Sequence, residues 1–199
     1  MSTFSVWRRK PSASNMEEDD IGEFGETSRG GTQTTADYYE DNDILSSYDT
    51  FHFGEGLLGV PNFPRKMAEL CLEAAKTYGV KLDSALDAGC GPGGTALELC
   101  KYFQEVFNSH IEREIFLSEF SSSQVEAYDY SEGFVEMMKC EEGRRGLTNL
   151  TCYQGDSHIR QSYTQNKFDL IFGCNLIDRL HTPSLWIKQS KVCTIESNQ

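Results

Sequence analysis

A chain of 199 residues has room for one ordinary domain and a tail, and its formal net charge of −13 argues against a broad nucleic-acid surface, which needs clustered Lys and Arg. Seven cysteines without a C-x-x-C pair, mostly inside apolar runs, read as reduced thiols of a cytoplasmic protein. There is no N-terminal apolar stretch to act as a secretory signal, Glu17-Glu18-Asp19-Asp20 comes too early for a transit peptide, and no run of about 18 apolar residues suggests a membrane span.

In chain order, residues 1–36 are rich in Ser, Thr, Gly and acid with no apolar period, and are predicted to be a disordered tail. The domain is predicted to occupy 37–199, opening on the aromatic segment "DYYEDNDILSSYDTFHFG" (37–54). A helix is predicted over 63–79, with Met67, Leu70, Cys71, Ala74 and Tyr78 on one face, Pro64 in its first turn and Gly79 at its C-terminal cap. A short strand, 84–88, runs into a glycine turn, and helical spacing resumes over 95–103. Residues 107–124 stand where a short turn should join this helix to the next strand, and read as an insertion. A second strand (125–131) ends in an acid and precedes a helix through Phe134, Val135 and Met138. A third strand (150–156) closes on Gly155-Asp156, and a fourth (168–175) is apolar throughout, as in a strand buried on both faces. The remaining residues suffice for a helix or two. Strands alternating with helices predict an α/β fold, a Rossmann-like doubly wound parallel sheet, cut short after its fourth strand.

The turn "LDAGCGPGG" (86–94) fits two ligand patterns. Gly89, Gly91 and Gly94 satisfy the G-x-G-x-x-G of dinucleotide sites. Asp87, Gly89, Gly91 and Gly93 equally satisfy D-x-G-x-G-x-G, the pattern of an S-adenosylmethionine site. A dinucleotide would rest its pyrophosphate on the following helix. S-Adenosylmethionine has no phosphate, so its site calls for carboxylates facing an ammonium and ribose hydroxyls. Asp87 lies just before the turn, where a nicotinamide site usually has an apolar residue. Asp129 ends the second strand, where it can accept from ribose hydroxyls, a position that NAD sites share. Asp156 follows the third strand, where it can meet an adenine amino group. One acid per strand, with Pro92 inside the turn, favours the sulfonium cofactor. The cofactor-binding candidates are Asp87, Gly89, Cys90, Gly91, Gly93, Asp129, Tyr130, Asp156 and Ser157.

On these motifs the chain resembles the class I S-adenosylmethionine-dependent methyltransferases. Within them it is similar to the mercaptohistidine N-methyltransferase domains of ovothiol biosynthesis. The resemblance runs from about Asp37 to Trp186 and rests on "YYEDNDILSSYDTFHFG", "ALDAGCGPGGTALEL", "YDYSEGFVE" and "FDLIFGCNLIDRL". It implies methyl transfer from the sulfonium to a ring nitrogen of a thiol-bearing histidine, a small-molecule substrate; the acidic charge and the lack of an apolar run add the expectation of neither a nucleic-acid nor a membrane partner. Such domains are often fused behind an iron-dependent sulfoxide synthase. No H-x-x-x-H-x-E iron pattern occurs here and the four histidines are dispersed, so no metal site is expected. The family sheet has seven strands where this sequence shows four, and the remainder would wall the acceptor pocket.

Catalytic candidates are Tyr39, Tyr48 and His52 from the aromatic segment, acting as base or polar orienter, and Asn175 beyond the fourth strand, where ligands of such sheets bind. The tyrosines could equally be packing over the sheet, and His52 could be a satisfied structural histidine. Asp178 and Arg179 read as a helix-surface pair. Two other functions stay open: a truncated, non-catalytic relative, and a nicotinamide-dependent oxidoreductase.

Overall fold

The computed structural model describes residues 38–54, 62–80, 82–111, 124–157 and 168–193. The predicted tail, 1–36, and residues 112–123 of the predicted insertion lie outside these.

The aromatic segment forms a helix, α1 (Asn42–Phe53), that the sequence reading left without secondary structure. Its start is signalled by Asp41, whose carboxylate accepts from the amides of Asp43 (2.9 Å) and Ile44 (3.4 Å). Helix α2 (Phe63–Thr77) has Asn62 as its N-cap and buries Pro64, Met67, Ala68, Cys71 and Ala75. The predicted face is thus rotated at its end: Tyr78 lies past the last turn and is 60% exposed, while Ala75 takes the buried position.

Strand β1 (Ser84–Ala88) leads through the glycine turn into α3 (Gly94–Ile111). Helix α3 outruns the predicted 95–103, and residues 107–111 continue it rather than turning towards the sheet. Next come β2 (Gln124–Asp129), α4 (Glu132–Arg145), β3 (Leu150–Gln154), β4 (Leu170–Phe172), a 3-10 turn (Ile177–Arg179) and α5 (Pro183–Cys193). The fourth strand is shorter than the predicted 168–175. Only Leu170–Phe172 finds partners on β1, and Gly173 then passes so close to the Trp186 ring that an added Cβ would stand 3.0 Å from it.

The described strands form one parallel sheet in the order β3-β2-β1-β4. The chain goes outward from β1 in both directions, which is the doubly wound α/β arrangement predicted from the alternation of elements. Side chains of alternate residues enter opposite layers. Ala85, Val125, Ala127, Leu170 and Phe172 pack with Met67 and Cys71 of α2, Leu99, Cys100 and Phe103 of α3, and Met138 of α4. Leu86, Ala88 and Tyr128 face the other way, towards Leu176, Leu180 and Trp186. In this register Ala88 stands beside Tyr128 and Asp129 beside Gln154, so the strands end together along one edge.

Candidate functional site

Three glycines of the turn after β1 have left-handed backbone: Gly89 (φ 63°), Gly91 (φ 55°) and Gly93 (φ 80°). At Gly93 an added Cβ would run into the thioether of Met138, so the turn needs glycine there for space as well as for conformation. At Gly91 the nearest neighbours of an added Cβ would be the His52 ring, at 3.6 Å, and Tyr48, at 3.9 Å. The turn is locked onto the sheet by the Cys90 amide, which donates to the Tyr128 carbonyl at 3.0 Å.

Two carboxylates flank the turn. Asp87 is 1% exposed and its Oδ2 has no hydrogen-bond partner among the described residues. Burial, reinforced by the neighbouring Asp129 charge, raises its carboxyl well above the usual range, against the pull of the Ala96 amide. Asp129 ties two loops together: Oδ2 accepts from the Gly91 amide at 2.7 Å and Oδ1 from the Ser131 amide at 3.0 Å. Burial raises this carboxyl too, while the amides of Ser131, Gly91 and Tyr130 pull it down.

The N-terminal segment closes over this floor. Tyr39 and Tyr48 pack on Phe134 at the start of α4, with ring centroids 5.9 Å and 4.8 Å away. Ser131, the N-cap of α4, donates from its hydroxyl to the Tyr39 carbonyl (3.3 Å), and Glu40 accepts from the Gly133 amide (3.2 Å). His52 stacks on Tyr48, and its Nδ1 accepts from the Gly94 amide, the first of α3, at 3.3 Å. Burial lowers its pKa to about 4, which leaves the ring neutral. Burial, followed by Tyr39, raises the Tyr48 phenol. Asn62 secures the C-terminus of α1: its Nδ2 donates to the His52 carbonyl (3.0 Å) and the Gly54 carbonyl (3.4 Å).

Beside the β2 and β3 ends opens a cavity of about 470 Å³, lined by Glu40, Tyr130, Glu132, Gln154, Gly155 and Asp156. Of the sequence candidates, Tyr130 and Asp156 border it. Asp87, Gly89, Gly91, Gly93 and Asp129 form the adjoining floor, and Tyr39, Tyr48 and His52 lie over that floor. Two candidates turn their side chains away from it. The Ser157 hydroxyl donates to the Tyr128 phenol at 3.0 Å, and Cys90 is buried with its thiol 4.0 Å from the Met138 sulfur. Asn175 is exposed with left-handed backbone (φ 54°), next to Leu176, which packs on Gly89. Asp178 and Arg179 form the exposed pair expected, 3.8 Å apart.

Glu40, Glu132, Gln154 and Asn62 were not singled out from sequence. The Asp41 cap signal, followed by Ile44, Tyr48 and His52 at four-residue spacing, could have found α1 and, with it, Glu40 at its threshold.

No curated protein matches the chain. Among solved structures, a candidate S-adenosyl-L-methionine-dependent methyltransferase from Methanococcus maripaludis is 18% identical, with a TM-score of 0.58 over 83% of this chain and 64% of that one. The chain thus spans less than two thirds of that protein's length. A SAM-dependent methyltransferase from Aquifex aeolicus is 20% identical, with a TM-score of 0.46 over 66% of this chain and 67% of that one. At 18% identity the likeness to the first is one of fold. A family model described as a methyltransferase domain matches residues 80–197, from the threshold of β1 to beyond α5. That match covers more than half of the sequence, and the chain therefore belongs to the methyltransferase domain family.

Proposed function

We propose that this domain transfers the methyl group of S-adenosylmethionine to a small-molecule acceptor, and that the acceptor atom is a ring nitrogen of a thiol-bearing histidine. One observation carries the cofactor reading: a fully buried carboxyl, Asp87, with an oxygen that has no hydrogen-bond partner among the described residues, stands under the glycine turn and beside a second, half-buried acid, Asp129. An unpaired buried carboxyl is unfavourable unless something compensates it, and a cationic ligand group would do so. A diphosphate would not, and the first amide of α3, where it would rest, is already taken by His52.

The residues present fit the cofactor. The glycine turn with Asp87 would take the amino-acid end, Asp129 the ribose, and Tyr130 and Asp156 the adenine in the adjoining cavity. When bound, S-adenosylmethionine supplies a methyl carbon already activated by positive sulfur. The protein's part is positioning and exclusion of water. Tyr39, Tyr48 and Phe134 form an aromatic wall over the turn, and the raised Tyr48 phenol stays a hydrogen-bond donor at neutral pH. His52 and, across the strand ends, Asn175 orient polar groups. The thiolhistidine acceptor rests on the resemblance of the aromatic segment and of "NLIDRL" to mercaptohistidine methyltransferases. A cytoplasmic setting suits the free thiols of the described cysteines, and the domain is taken as 37–199, preceded by 1–36; of the expected insertion 107–124, residues 107–111 belong to α3 and Gln124 to β2.

Incubating folded protein with methyl-labelled S-adenosylmethionine and a thiolhistidine tests this directly. Label on an imidazole nitrogen is the expected result. Cofactor binding without transfer to any imidazole would overturn the acceptor, and absence of both would overturn the function.

A further inference from the structure

The hydrogen bond between the Gly94 amide and His52 has a consequence for proton bookkeeping in the site. An amide N–H can only donate, so Nδ1 of His52 must present its lone pair. A neutral imidazole carries one proton, which therefore sits on Nε2. The ring is held in place from several sides. Tyr48 stacks on it, with the planes 24° apart, and the Phe51 and Phe53 rings meet it edge-on. Asn62 grips its backbone carbonyl at 3.0 Å. The fit at Gly94 is close enough that a Cβ there would stand 2.9 Å from Nδ1.

Nε2 lies over Gly91, 3.6 Å from where a Cβ would be, and among the described residues it has no hydrogen-bond partner. It is a donor beside Gly91 of the glycine turn, and so calls for an acceptor. The second observation is Asp87, whose unpartnered, fully buried carboxyl beneath the same turn calls for a cation. A ligand with ammonium and carboxylate on one carbon answers both demands, and the amino-acid end of S-adenosylmethionine is such a group. We propose that His52 is a tautomer-locked hydrogen-bond donor that holds the carboxylate of the methyl donor's amino-acid end over Gly91, and that it is not the proton acceptor of the reaction. This rests on the cofactor reading above and refines the earlier assignment of His52 as base or orienter to one of the two.

Two measurements test it. Nitrogen NMR of the ligand-free protein at neutral pH should show His52 with a protonated Nε2 and an unprotonated Nδ1, and the opposite tautomer would overturn the proposal without any variant. Calorimetry should then compare S-adenosylhomocysteine with its analogue lacking only the carboxylate, in wild type, His52→Ala and His52→Gln. A hydrogen bond to a charged group predicts that His52→Ala weakens S-adenosylhomocysteine by about tenfold or more and leaves the analogue's affinity unchanged. His52→Gln, which keeps an N–H at similar reach, should recover part of the loss. Equal losses for the two ligands, or no loss, would overturn the His52 assignment alone. Failure of the wild type to bind S-adenosylhomocysteine would remove the cofactor reading and this inference with it.

Discussion

Asp87 and His52 respond to pH in opposite senses, and the sign follows from their burial. Asp87 has a folded pKa raised above its unfolded value, so the folded state binds more protons in the interval between the two. Its contribution to stability is full below the unfolded value of about 3.9 and is lost as pH rises towards the folded one. His52, lowered to about 4, contributes fully above its unfolded value of about 6.5 and loses stability as pH falls towards 4. The wild-type profile mixes the two, but a variant isolates one. Asp87→Asn should stabilise the ligand-free protein by about 1 kcal/mol or more at pH 8, the scale of an unsatisfied buried polar group, and by less at pH 5. Urea titrations at the two pH values measure this, and a gain no larger at pH 8 than at pH 5 would contradict it. The glycines of the turn could be read from sequence because a left-handed turn after a strand admits few other residues. The direction of the Ser157 and Cys90 side chains could not, since it depends on what lies across the sheet.

Among the elements, α1 decides what covers the turn, and Asn62 couples it to α2. One oxygen caps α2 by accepting from the Arg65 amide at 3.1 Å, while the same side chain's nitrogen holds the last carbonyls of α1. Asn62→Ala removes both functions and should cost about 1–2 kcal/mol of unfolding free energy. Asn62→Asp keeps the cap but not the donor, and should lose less. Equal losses in chemical denaturation would mean that only the donor to the α1 carbonyls matters and the cap adds nothing. The sequence reading placed α2 correctly because its apolar period is long and Pro64 marks its start. It passed over α1 because the aromatics there resemble a site more than a helix face, with no residue of α1 fully buried. It overextended β4 because an apolar run shows burial but not where strand partners end.

For the whole molecule, the order β3-β2-β1-β4 brings the β1 and β2 ends side by side, which puts Asp87, Asp129 and the glycine turn next to one another, where the cofactor is proposed to bind. A ligand that binds only the folded form stabilises it by mass action, by about 2.7 kcal/mol at a hundredfold excess over Kd. For a domain of this size that corresponds to a rise in Tm of about 5–10 °C. S-Adenosylhomocysteine should produce such a rise and NADH none, and the reverse pattern would restore the dinucleotide reading that G-x-G-x-x-G alone permits.

The amino-acid sequence by itself determined the alternation of strands and helices, the glycine turn and the acids at successive strand ends. All of these follow from backbone sterics and apolar period within a few neighbouring residues. Only the tertiary structure decided that His52 would meet the Gly94 amide across a separation of 42 residues, that Asp87 would be left with an unpartnered oxygen, and that Ser157 would turn into the core. Such pairings depend on how separate elements pack, and no local pattern encodes them.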